Sequence, residues 1–290
     1  MRARTVRPMG ADAFAEFERA GWERAAARYE EYWTDTVLFV EPLLDAAGVR
    51  SGSRVLDVAC GPGFVSEAAA ARAAEPVGVD IATAMVERAR MRCPNLTFVV
   101  GDALRLPFSD ASFDAVTMNF GILHVSQPER ALAEAHRVLA SGGRLAFTTW
   151  LAEGNAEDEI TEAALAAYAI AFEGPEGPSY HVFADPDDCR RALAGCGFDT
   201  DSLRMDTVTA LWRVPNADFL FQAQLHAGVR TAAVLRAQPP ERLEAIRAGM
   251  ADAVRGYADG DAFALPIAAR LISARASGPG ADGRADHERQ

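Results

Sequence analysis

The sequence predicts an α/β fold: a mostly parallel sheet of seven strands, with helices on both faces. Two observations carry this. Short β-rich runs alternate with Ala-rich helical stretches through the middle of the chain, which is the signature of parallel strands joined by crossover helices. The first of these runs, "RVLDVA" (54–59), stops abruptly in the bare loop "CGPGF" and continues into a helix. In open α/β sheets, loops of this kind gather at the carboxyl ends of the strands, where ligands bind.

Residues 12–47 read as helical. Phe14, Phe17, Trp22, Ala25, Tyr29 and Trp33 recur at three- to four-residue steps and paint one apolar stripe. A second helix follows over about 36–47. Then come the runs "RVLDVA", "PVGVD" (76–80), "LTFVV" (96–100), "DAVTMNF" (114–120) and "RLAFTTW" (144–150). The helix after the fourth run carries "SQPE", with Ser126 as N-cap and Glu129 closing a capping box, and is predicted to end at Gly142-Gly143. Beyond Trp150 a helix over about 158–172 leads into the aromatic loop "EGPEGPSYHVF". Asp185 and Pro186 start another helix that stops at Gly197. "SLRMDTVTALWRV" alternates as a strand, 216–258 is helical again, and "AFALPIAARLISARAS" closes as the last strand. The predicted organisation is therefore N-terminal helices over 1–48 and a main domain over 49–275. A helical cap at about 151–183 and 216–258 is inserted near its C-terminus, and a polar, Gly-rich tail over 276–290 is expected to be disordered.

Composition removes several function classes. Lys and Arg number 29 against 41 Asp and Glu, a net charge of −12, with no basic run. Such a chain is a poor partner for nucleic acid or an anionic membrane. No apolar run approaches the roughly 20 residues needed to cross a bilayer, and the N-terminus has no apolar segment of a signal peptide. Cys60, Cys93, Cys189 and Cys196 form no C-x-x-C pair and no metal spacing with histidine. A reduced, cytoplasmic setting and no metal are expected. The acidic runs at 157–159 and 185–188 read as a helix start and a cap.

The loop after the first strand offers backbone without a Cβ in the way and the unpaired amides of a helix N-terminus. The next strand ends at Asp80, where a carboxylate can accept hydrogen bonds from both hydroxyls of a ribose. The third ends at Gly101-Asp102-Ala103. A nicotinamide fold would want a third glycine in the first loop, and the run Gly61-Pro62-Gly63-Phe64-Val65-Ser66 lacks it.

With "VLDVACGPG", "VGVD", "GDALRLPFSDASFDAV" and "RALAEAHRVLASGGRLAFTTW" in order, residues 50–150 resemble the class I S-adenosylmethionine-dependent methyltransferases. They are most similar to the ubiquinone/menaquinone-biosynthesis branch and its small-molecule relatives. The resemblance implies a Rossmann-like sheet and S-adenosylmethionine as cofactor, with S-adenosylhomocysteine as product. By the same resemblance Asp57, Ala59, Gly61 and Gly63 form the loop along the methionine part. Asp80 takes the ribose, Ile81 packs on adenine, Asp102 and Ala103 meet its amino group, and Asn119 and Phe120 lie near the methionine. Cys60 is read as packing. The cofactor already carries an activated methyl, so the protein must align the acceptor and exclude water. A general base is needed where the acceptor is a phenol or a carbon acid.

His124, in "GILHVSQP", is the first candidate base and His181 the second; for each the plainer reading is a hydrogen-bonded loop histidine. The N-terminal stripe is either core packing or a lid in which Tyr29 and Trp33 close over the cofactor, and it is also compatible with a homodimer contact. Trp150, Phe172, Tyr180 and Phe183 suggest an aromatic acceptor pocket or packing of cap on sheet. The leading expectation is methyl transfer to oxygen or carbon of a hydrophobic small molecule in quinone-like or natural-product biosynthesis. Two alternatives keep the bound cofactor: catalysis of a cyclisation or rearrangement, and a non-catalytic partner protein.

Overall fold

A computed structural model describes residues 11–277. Helix α1 (Ala11–Tyr32) is followed by a short 3-10 turn at Thr36–Phe39 and α2 (Val40–Ala46). The central part alternates β1 (Arg54–Val58), α3 (Phe64–Ala71), β2 (Glu75–Asp80), α4 (Thr83–Arg92), β3 (Thr97–Val100), β4 (Phe113–Met118), α5 (Pro128–Val138) and β5 (Leu139–Trp150). Then follow α6 (Ala156–Tyr168), α7 (Pro186–Gly195) and β6 (Phe198–Val214). The chain closes with α8 (Phe219–Ala227), α9 (Arg230–Arg236), α10 (Pro240–Arg255), β7 (Ala258–Asp259) and β8 (Ala262–Ala276).

The sheet runs β3-β2-β1-β4-β5-β8-β6, with β7 as a short hairpin arm on β8. The first five strands in this path pair in parallel, and β8 joins them antiparallel between β5 and β6. Strand order reverses between β1 and β4, so the loops after these two strands part and open a crevice. Side chains of β1 alternate between two cores. Leu56 and Val58 pack towards α5 with Leu132 and Val138, and Val55 packs towards α2 with Leu43 and Leu44.

Local differences from the predicted elements have physical causes. The sheet has an eighth strand, the two-residue β7. Helix α5 begins at Pro128, whose ring fixes φ at the first helical position, so Ser126 stands too early to cap it and no side chain does. That helix ends at Val138 rather than at the glycines. Gly142 and Gly143 instead lie within β5, where the register with β4 slips between Phe113–Leu139 and Ala115–Arg144. Helix α6 stops at Tyr168, because the Gln238 side chain takes both the amide (2.8 Å) and the carbonyl (3.2 Å) of Ile170. Asp185 does cap α7, accepting from the amides of Asp187 and Asp188 at 3.0 Å each. The predicted tail begins at a residue, Ala276, that still belongs to β8; residues 278–290 lie outside the described residues. Among the described residues no helix is long and apolar enough to cross a membrane.

Helix α1 crosses the carboxyl edge of the sheet and is pinned to α4 by two carboxylates. The Glu23 oxygens accept from the amides of Thr83 (2.7 Å) and Ala84 (2.9 Å), capping α4, whose own N-cap is Ala82. Glu30 pairs with Arg88 and Arg92. Replacing an N-cap acceptor by alanine costs about 1 kcal/mol. Glu23→Ala should therefore lower stability by about that amount in urea titration, with a larger loss of amide-exchange protection at Thr83 and Ala84 than elsewhere in α4. Unchanged protection at these two amides would refute the cap.

Candidate active site

The crevice at the strand reversal opens into a cavity of about 390 Å³ beneath α1 and the cap. Of the predicted residues, Tyr29, Trp33, Ala59, Gly61, Asp80, Ile81, Asp102, Ala103, Asn119, Phe120, His124, Trp150 and Tyr180 line it.

At one end the walls are loops. Asp80 holds two of them: Oδ2 accepts from the amide of Gly61 and Oδ1 from that of Ala82, both at 2.9 Å. Burial pushes its carboxyl up to about 6, against the pull of these amides. Each oxygen keeps a lone pair for a further donor. Asp102 Oδ1 accepts from the amide of Leu104 at 2.9 Å. Gly61 has φ +53, and a Cβ added there would meet nothing within 4 Å, so the loop shows bare backbone to the cavity. Ala59 (φ 55) and Phe120 (φ 52) adopt the left-handed region without being glycine. They follow β1 and β4, the two strands that part, and such strain clusters where a ligand is clamped.

Asp57 and Gly63 do not line the cavity. Asp57 is 1% exposed and turns behind the loop, where Oδ2 accepts from Ser66 N (3.1 Å) and Ser66 Oγ (2.7 Å) and so anchors the first turn of α3. Gly63 has φ +88 and packs on Phe98, 3.0 Å from where a Cβ would sit. Cys60 packs with Val86, Ala89 and Phe98, and burial raises its thiol well above the ordinary value.

In the middle, a chain of hydrogen bonds fixes the loop after β4. Phe120 N donates to Thr148 Oγ1 (2.8 Å), Thr148 donates to Asn119 Oδ1 (2.9 Å), and Asn119 Nδ2 donates to Thr36 O (3.0 Å). Phe120 stacks on Trp150 with ring centres 3.9 Å apart, and Phe39 meets both rings edge-on.

The far end lies under the cap. Here His124 Nδ1 is 3.0 Å from Glu18 Oε2, and Arg230 Nε is 2.7 Å from Glu18 Oε1. Arg230 also donates to the carbonyls of Pro178 (2.6 Å) and Leu123, and its guanidinium lies 4.6 Å above the Tyr180 ring. Glu18 is 2% exposed. Burial alone would raise its carboxyl, but His124 and Arg230 outweigh that and hold it below the ordinary range. An ionised Glu18 only accepts, so it fixes the proton of neutral His124 on Nδ1 and leaves Nε2 as an acceptor. Burial, aided by Arg230, lowers the His124 pKa below 6.5 although Glu18 pulls it up.

Three predicted residues stand elsewhere. His181 turns its Nδ1 to the carbonyl of Trp150 at 3.2 Å, bracing the loop after α6. Phe183 packs into the core on Phe147, and Phe172 is 37% exposed on a loop that left the helix at Tyr168. The cavity also uses residues that sequence reasoning did not place in a site: Glu18, Thr161, Gln224 and Arg230, with Trp22 read there as stripe packing and Glu157 and Asp158 as a helix start. Glu18 had a legible signal. It sits four residues from both Phe14 and Trp22, a carboxylate on the apolar stripe. Arg230 had none.

Behind the wall, Asp35 is fully buried, and neither of its carboxylate oxygens has a hydrogen-bond partner. Burial, with the charge of Asp158 adding, pushes it up to about 7; the amides of Asp35 and Thr36 lie near enough to temper this without bonding well. The folded protein therefore keeps a proton that the unfolded chain releases from about pH 4 upward, so stability falls as pH rises to about 7 and the full penalty stands above that. We expect Asp35→Asn to stabilise the ligand-free protein at pH 8 by about 1–3 kcal/mol, with the gain vanishing only below the unfolded-chain value of 3.8 in urea titrations. Equal stability of both chains at pH 8 would show that the carboxylate is compensated.

Comparison with known proteins fits this geometry. The family described as "Methyltransferase domain" matches residues 56–147. Demethylmenaquinone methyltransferase of Renibacterium salmoninarum is 36% identical over 173 residues, covering 56% of this chain and 73% of that one. The enzyme of the same name from Beutenbergia cavernae is 50% identical over 102 residues, 35% of this chain and 42% of that one. The chain thus spans most of the first relative but less than half of the second. Among solved structures, the YcgJ protein of Bacillus subtilis superposes with a TM-score of 0.54 at 20% identity, covering 83% of this chain and 98% of that one, a likeness of fold.

Proposed function

The chain belongs to the class I S-adenosylmethionine-dependent methyltransferases, in the branch of the ubiquinone/menaquinone-biosynthesis enzymes, and from that premise we propose that it methylates an oxygen or carbon of a hydrophobic, quinone-like small molecule held under the cap. The observation that carries the reading is one cavity with two unlike ends. One has the bare Gly61 loop, Asp80 and Asp102. The other has aromatic walls and His124 held by Glu18.

The residues at the loop end fit the cofactor. Gly61 leaves open space where a Cβ would stand. The Asp80 oxygens keep lone pairs for ribose hydroxyls, and Asp102 keeps Oδ2 for the adenine amino group. When bound, S-adenosylmethionine supplies a methyl on cationic sulfur, which leaves as the neutral thioether S-adenosylhomocysteine while the acceptor takes the methyl.

The protein's own work is to orient and to move a proton. Trp150, Phe120 and Tyr180 hold an apolar acceptor and keep water out. His124 Nε2, the free acceptor of the neutral ring, takes the proton from the acceptor hydroxyl or carbon. The imidazolium so formed is stabilised by ionised Glu18 at 3.0 Å. Arg230 keeps Glu18 ionised and in place.

Two measurements test this. Calorimetry should show S-adenosylmethionine binding that weakens about 100-fold in Asp80→Ala, the loss of two hydrogen bonds to a charged group; wild-type protein without binding would sink the reading. His124→Ala should lower kcat about 100-fold or more with affinity for the cofactor unchanged. The wild-type kcat/KM should rise with pH through a value below histidine's ordinary 6.5 and stay flat above it. A flat profile, or full activity in the variant, would remove His124 as the base.

A further inference from the structure

The acceptor end of the cavity gathers carboxyl groups whose ionisation burial opposes: Glu157 is pushed well above the ordinary range, and Asp158 up to about 6 although His181 pulls it down. Glu157 and Asp158, in the first turn of α6, line the cavity beside Thr161 and Gln224. Asp35 stands close behind, near enough for its charge to act on Glu157. Glu157 is 5% exposed and takes one hydrogen bond, from Gln224 Nε2 at 2.7 Å; Asp158 takes one, from Asn155 Nδ2 at 3.2 Å. No Arg or Lys among the described residues pairs with Asp35, Glu157 or Asp158. The positive end of the α6 dipole accounts for exposed Glu159, but not for two carboxylates turned inward.

An independent observation points to a ligand. Thr161 lines the same wall, is 5% exposed, and its Oγ1 has no hydrogen-bond partner; both oxygens of Asp35 are likewise unpartnered. Buried polar groups are nearly always paired, and a buried carboxyl group either meets a cation or keeps its proton. No group of three His, Cys, Asp or Glu among the described residues is arranged to hold a metal ion; an organic ammonium, which brings its own N–H donors to Thr161 and takes the place of the carboxyl protons, suits this wall.

Resting on the methyltransferase reading above, we propose that the acceptor is a hydrophobic amine whose ammonium group is held by Glu157 and Asp158, with Thr161 Oγ1 accepting a further N–H. The ammonium is a handle and not the methylated atom, because a protonated nitrogen has no lone pair to attack with. The aromatic walls at Trp150 and Tyr180 take the body of the molecule and leave its nucleophilic oxygen or carbon facing His124. The same chemistry has a second source in the α-ammonium of the cofactor, and the test separates the two.

The probes are 1-naphthylmethylamine and its neutral isostere 1-naphthylmethanol, titrated calorimetrically at pH 7.5 into protein saturated with S-adenosylhomocysteine. The amine should bind at least tenfold more tightly than the alcohol. In the double variant Glu157→Gln, Asp158→Asn that preference should fall below threefold while affinity for S-adenosylhomocysteine stays the same. Equal binding of the two probes, binding of neither at millimolar concentration, or a preference kept in the variant would overturn the proposal. So would loss of S-adenosylhomocysteine affinity in a variant that still melts cooperatively, which would assign the carboxylates to the cofactor. Asp158→Asn alone serves if the double variant does not fold, with at least a threefold drop in preference expected and an unchanged preference overturning the proposal. Wild-type protein that binds no S-adenosylhomocysteine would instead defeat the methyltransferase reading, and the amine-to-alcohol comparison without it would then judge the handle on its own.

Discussion

The closed form of the cavity depends on one buried carboxylate. Glu18 projects from α1 and meets His124, just past β4, and Arg230, at the start of α9. These three elements are far apart in sequence, and Arg230 ties the last two a second time by donating to the Leu123 carbonyl. Removing a carboxylate from water is costly, and two cationic or donor partners offset that cost only while all three elements stay together. The same contact fixes the proton on the His124 ring and orients the guanidinium over Tyr180. The seating of the N-terminal helix and the position of the proton on His124 therefore rest on the same contact.

The two ends of the cavity differ in how their polar groups are satisfied. At the loop end the protein completes itself: Asp80 and Asp102 hold backbone amides and keep spare lone pairs outward. Under the cap, Asp35 and Thr161 are left without partners. A completed wall is rigid before its ligand arrives, whereas an incomplete one is at its most stable only when filled. The loop end is complete as it stands, and the capped end keeps polar groups open.

What the sequence made legible follows the same division. Strand ends and glycine turns are local, so "RVLDVACGPG", Asp80 and Asp102 could be read directly, and so could the helical insertion between β6 and β8. Asp57 and Gly63 belong to that motif, yet they act behind the loop: a motif marks a place in the chain and not which face a side chain takes. The capping box at Ser126 failed because Pro128 sets the helix start, and α4 is capped by Glu23, 60 residues earlier. No local pattern encodes such a partner. Glu157 and Asp158 read as an ordinary acidic helix start, since only the packing of α6 against α10 and β8, with the bond from Gln224 to Glu157, turns them inward. His181 and Phe183 sit in the right loop, but its bonds to Trp150 and the core aim them away from the cavity.

The second part of the cap leaves and re-enters the sheet through a single hairpin. Val214 at the end of β6 pairs with Phe263 near the start of β8, and the whole segment of α8, α9 and α10 lies between them. The sheet on either side is thus continuous whatever that segment contains, and the loops after β1, β2 and β3 are held by bonds that do not pass through it. The hairpin is a graft point. A different insertion that closes the same two ends would replace Gln224 and Arg230 in the cavity wall and leave the strand-end seat and the α6 wall in place.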